Sequence, residues 1–128
     1  YLDLSECKLV SPDGIKNIGK LTGLKTLGFW ETKLNNNALI SLGDLVNLES
    51  LDLKATQVGD DSVDTLLKFQ KLKELDLAGT LFTDAAFRKL GALPNLKVLN
   101  VANTSIGYDV IDELTEAHEG LQVIEYAN

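Results

Sequence analysis

The chain has 128 residues, 45% of them hydrophobic, and carries 12 Lys and Arg against 19 Asp and Glu for a net charge of −7. That is one domain's worth of material with enough apolar side chains for a core, and its charge repels nucleic acid and anionic lipid at long range. A single cysteine, Cys7, excludes an internal disulfide framework and fits a reducing compartment such as the cytoplasm, while apolar runs fall far short of the roughly 20 residues a membrane span needs.

Taken in chain order, the predicted elements repeat. YLDLSECKL (1–9) comes first, then LKTLGFWETKL (24–34), LESLDLKATQV (48–58), LKELDLAGTLF (72–82) and LKVLNVANTSI (96–106), with LQVIEYAN (121–128) at the end. The four middle segments superimpose without a gap at a period of 24 as L-x-x-L-x-L-x-x-T-x-φ, where φ is apolar. Alternation within L-x-x-L-x-L predicts a short strand. Each returning half then spaces apolar residues by three or four, which predicts a short helix: Leu39, Leu42 and Leu45; Val63, Leu66 and Phe69; Phe87, Leu90 and Leu93; Val110, Ile111 and Leu114. Asn36, Asp60 and Asp84 precede these helices and are expected to be their N-caps.

The pattern resembles the leucine-rich repeat along the whole chain, in the 24-residue form that carries Thr in place of the usual ladder Asn. The departures are that Gly28 and Phe29 interrupt the L-D-L trio, and that the first and last full repeats are expected to run 25 residues. The resemblance implies an α/β right-handed solenoid, with a curved parallel sheet on the concave side and short helices on the convex side. It divides one domain, 1–128, into repeats 1–23, 24–47, 48–71, 72–95, 96–120 and a partial 121–128. Because the sequence opens and closes at strands, with Leu2, Leu4 and Leu9 unprotected, it is expected to belong to a longer polypeptide or assembly.

GIKNIGKLT (14–22) matches most of a phosphate-binding loop, but Leu21 stands where Ser or Thr would reach Mg²⁺. Aligned on the repeat, Leu21 falls with Leu45, Phe69 and Leu93 and is expected to be buried, so no nucleotide and no other cofactor is assigned.

With the leucines inward, three outward columns are predicted on the sheet. The first reads Tyr1, Thr26, Ser50, Glu74, Val98 and Val123; the middle one Asp3, Gly28, Asp52, Asp76, Asn100 and Glu125; the third Ser5, Trp30, Lys54, Ala78, Ala102 and Ala127. From these, Trp30, Asp52, Lys54, Glu74, Asp76 and Asn100 are the candidate partner-binding residues. Trp30 is the sole tryptophan, a residue type favoured as an interface anchor. The acidic middle column suits a protein partner with a basic surface; its plainer explanation is that Asp between leucines keeps a sheet face wet. Asp76→Ala is accordingly expected to cost no more than about 0.5 kcal/mol.

The ladder column, Cys7, Thr32, Thr56, Thr80, Thr104 and Asn128, is expected to turn inward and satisfy backbone groups at the strand ends. His118 is expected at the surface. Asp60, Asp61 and Asp64 are read as helix-start carboxylates rather than a metal site, and Asn103-Thr104-Ser105 as a chance glycosylation match. No nucleophile, base and orienter fall together, so no catalytic residue is assigned. Two functions follow: a non-enzymatic protein–protein interaction module using the concave sheet and adjoining loops, or an architectural subunit packed into a larger complex through its amino-terminal edge or helical side.

Overall fold

The computed structural model describes residues 2–3, 12–29, 34–118 and 120–125. Six strands, β1 (Leu2–Asp3), β2 (Thr26–Gly28), β3 (Ser50–Asp52), β4 (Glu74–Asp76), β5 (Val98–Asn100) and β6 (Gln122–Ile124), form one sheet in sequence order. All neighbours are parallel. Between them run α1 (Pro12–Ile18), α2 (Asn36–Ile40), α3 (Val63–Leu66, preceded by a 3₁₀ turn at Asp60–Ser62), α4 (Asp84–Leu90) and α5 (Tyr108–Ala117). Each strand with its return forms one coil of a solenoid.

The core lies between sheet and helices. Leu27, Leu51, Leu75 and Leu99 pair in register along its strand wall, with Phe29, Leu53, Leu77 and Val101 as a second row. Leu39, Leu66, Phe69, Phe87, Leu90 and Leu114 close it from the helical side. Sealing each such side chain from water is worth about 1.5–3 kcal/mol. A lone coil could not bury its leucines, so stability comes from stacking.

After β3, β4 and β5 the chain turns through a left-handed residue: Ala55 (φ 57°), Gly79 (φ 69°) and Asn103 (φ 55°). Glycine and asparagine take this conformation readily, whereas alanine is strained there. One residue on, Thr56, Thr80 and Thr104 donate their hydroxyls to the carbonyls of Leu53, Leu77 and Val101 at 2.7, 2.6 and 2.6 Å. Cys7, Thr32 and Asn128 lie outside the described residues.

Four expectations are corrected. Leu21 is 50% exposed, although Leu45, Phe69 and Leu93 are sealed. Those three have described coils on both sides, and Leu21 has one on one side. The phosphate-loop reading still has no support, because Gly14 lies within α1 and Lys20 in the turn after it.

Asn36, Asp60 and Asp84 are first helical or 3₁₀ residues, not N-caps; the positions before them are Asn35, Gly59 and Thr83. Their side chains reach into the next coil, where Asn36 Oδ1, Asp60 Oδ1 and Asp84 Oδ1 accept the backbone N–H of Gly59, Thr83 and Gly107, each at 2.8 Å.

Strand β6 pairs Leu99 with Val123, not Ile124. The step is 24 residues, as between the middle strands, and not the expected 25; the 25-residue step is confined to Leu2↔Leu27. Val123 therefore turns to the core row, Gln122 takes its place in the first outward column, and Ile124 takes that of Glu125 in the middle one. Finally, His118 is half-buried and its ring Nε2 donates to the Gly91 carbonyl, tying the end of α5 to the preceding coil.

Candidate protein-interaction surface

Among the described residues the outer sheet face carries two columns. Thr26, Ser50, Glu74, Val98 and Gln122 align in the first, and Asp3, Gly28, Asp52, Asp76, Asn100 and Ile124 in the second. The third predicted column does not form. Ala78 and Ala102 are 2% and 1% exposed because the backbone bends inward at these positions, and only Lys54 among the described members stays half-exposed. Trp30 lies outside the described residues.

The bend comes from the middle column itself. Asp52 Oδ1 accepts the N–H of Lys54 at 3.0 Å, Asp76 Oδ1 that of Ala78 at 3.0 Å, and Asn100 Oδ1 that of Ala102 at 3.1 Å. A short side-chain acceptor folded back on its own chain two residues on is a turn-making device. Asn100 also directs its Nδ2 toward Asp76 Oδ2 in the adjacent strand, at 3.4 Å. Aspartate here therefore has a structural task, and asparagine performs it equally.

The charge is not needed for that task. Asp52 and Asp76 sit in adjacent strands, about 4.8 Å apart by sheet spacing, and Glu74 stands exposed beside them. Among the described residues, neither Glu74 nor Asp76 is in an ion pair with a Lys or Arg. Ser50, Asp52, Glu74, Asp76, Val98 and Ile124 line a shallow open depression of about 210 Å³. Ile124 was missed at the sequence level because the last strand was placed one residue late; keeping the 24-residue step finds it.

A second hollow, of about 410 Å³, lies where the chain leaves the strands, among Asn35, Asn36, Asn37, Gln57, Asp61 and Leu81. Leu81, 68% exposed, escaped the sequence reading because only the adjoining Phe82 carries the repeat's apolar position. Among the described residues no three His, Cys, Asp or Glu side chains gather to hold a metal, and no helix is long and apolar enough to cross a membrane.

No protein-family model matches the chain. It is 34% identical to bovine (Bos taurus) F-box/LRR-repeat protein 4 over a 70-residue alignment that takes in 45% of this chain and 11% of that one. Among solved structures it is similar to internalin C2 of Listeria monocytogenes, with a TM-score of 0.69, 21% identity, and coverage of 87% of this chain and 45% of the other. It is also similar to the leucine-rich repeat ectodomain of the Arabidopsis thaliana receptor kinase SOBIR1, with a TM-score of 0.61, 23% identity, and coverage of 91% and 61%. The class defined by fold and face is therefore the leucine-rich repeat solenoid. The chain is a leucine-rich repeat protein in fold and repeat pattern, and it spans only part of the length of each of these three relatives.

Proposed function

We propose that the chain is a non-enzymatic protein-interaction module that holds a basic segment of a partner protein on its sheet face and adjoining turns. The observation that supports this most is the exposed face of β3 to β5. There Asp52, Glu74 and Asp76 set negative charge beside the apolar Val98 and Ile124, and no helix covers them. Lys54 and Asn100 border this patch, and Trp30, one repeat before Lys54, belongs to the proposal on its sequence position. A cationic side chain flanked by an apolar one complements such a face.

The test exploits the Asn100 precedent. Asp52→Asn and Asp76→Asn with Glu74→Gln remove three charges yet leave both turn acceptors in place. Binding of a fluorescent peptide of alternating lysine and leucine, read by anisotropy, should weaken about tenfold or more. Unchanged binding rejects the surface.

One observation favours the architectural alternative. Leu21 leaves apolar surface at the first-coil end of the stack, which a neighbouring subunit would cover. Concentration-dependent sedimentation supports that reading; a monomer at every concentration removes it.

A further inference from the structure

A second charged surface of opposite sign lies along the edge where the turns lead into β4 and β5. Residues 67–73 and 88–97 contain six cations and no acid, in a chain whose net charge is −7: Lys68, Lys71, Lys73, Arg88, Lys89 and Lys97. Arg88 is engaged elsewhere, its Nε donating to Glu113 Oε2 at 2.9 Å. The five lysines are all exposed. A helix C-terminus favours nearby cations, which accounts for Lys89 in the last turn of α4. It does not account for Lys71, Lys73 and Lys97, which stand beyond the helices at the starts of the strands.

The chain shows how this edge engages a carboxylate. Lys25, Glu49, Lys73 and Lys97 occupy successive places in one row, because the N–H of each later residue bonds the carbonyl of the one before, at 2.7, 2.8 and 2.8 Å. Glu49 stands between two of these lysines, 3.3 Å from Lys73 Nζ and 4.0 Å from Lys25 Nζ. On the other side of Lys73 the row continues with Lys97, which is in no ion pair with a described carboxylate; Glu119, in the turn that follows, lies outside the described residues. Lys71 holds its place through a 2.7 Å bond to Asn47 Oδ1 in the preceding coil.

We propose that this lysine edge, Lys68, Lys71, Lys73, Lys89 and Lys97, is a second docking surface, whose occupant is an acidic segment of a partner protein presenting Asp or Glu side chains. A short acidic segment fits it better than a long polyanion. Asp52, Glu74 and Asp76 lie on the same coils, and the net charge opposes nucleic acid and anionic membranes at any distance beyond the edge.

The experiment measures fluorescein-labelled hexaglutamate binding to the whole chain by anisotropy at low salt. Lys71→Gln with Lys97→Gln should weaken it about fivefold or more. Lys16→Gln with Lys20→Gln, equal in charge but at the first coil, should change it less than about twofold. The Asp52→Asn, Asp76→Asn, Glu74→Gln variant should bind hexaglutamate as well as or better than the parent, so failure of the sheet-face reading and failure of this one are distinguishable. Circular dichroism confirms the fold of each variant. Equal loss from both lysine pairs, or tighter binding to oligothymidine or to phosphatidylserine vesicles than to hexaglutamate, overturns the proposal.

Discussion

Asp60 Oδ1 accepts the backbone N–H of Thr83 at 2.8 Å, and Asp60 Oδ2 the Thr83 hydroxyl, so one side chain fastens its coil to the next. Asn36 and Asp84 make the corresponding backbone bond in the coils on either side. Parallel strands alone leave the trailing turns unpaired, and this column supplies the missing acceptors.

Asp60→Ala should therefore destabilise the chain by about 1–3 kcal/mol. Asp60→Asn, which reproduces what Asn36 does one coil earlier, should cost less than about 1 kcal/mol. Urea unfolding separates the two. Equal losses would mean that charge, and not the shared bond, matters.

The left-handed column offers a test in the opposite direction. Ala55→Gly should stabilise by about 0.5–1 kcal/mol, and Gly79→Ala should destabilise by about 1–2 kcal/mol. A Cβ at Gly79 would meet nothing nearer than 3.6 Å, so the cost is conformational rather than steric. Thermal melts of both variants check the pair; shifts in the same direction would contradict the assigned turns.

At the sheet face, Asp76→Ala should cost about 0.5–1.5 kcal/mol, more than the sequence suggested, because the Ala78 N–H loses its acceptor. Asp76→Asn should be nearly neutral. Chemical denaturation decides it, and a neutral Asp76→Ala would remove the turn role.

Much of the fold was legible because a strict period fixes both the strand pairing and the buried face. Leu51, Leu75 and Leu99 were placed from spacing alone, and the structure pairs them in that register. What the period hides is any departure in backbone direction or number of neighbours. Ala78 and Ala102 share a column with Lys54, but the chain has already bent inward there. Leu21 shares one with Leu45, but has a described coil on one side only. The carboxylates were found, and their turn bonds were not, since a hydrogen bond to a residue two positions on leaves no mark on a 24-residue repeat.

Leu21 and Leu45 make that difference measurable. Leu45→Ala should cost about 2–5 kcal/mol as a sealed core truncation, and Leu21→Ala less than about 1 kcal/mol. Equal costs in urea would mean that Leu21 is covered in solution.

The most direct measurement compares neighbours on one strand. Glu74 and Leu75 point to opposite sides of β4, one exposed and the other sealed. Unfolding free energies of Leu75→Ala and Glu74→Ala should differ sharply, with a loss of about 2–5 kcal/mol for the leucine and no more than about 0.5 for the glutamate. Comparable losses would contradict the two-sided sheet, and with it the face on which binding is proposed.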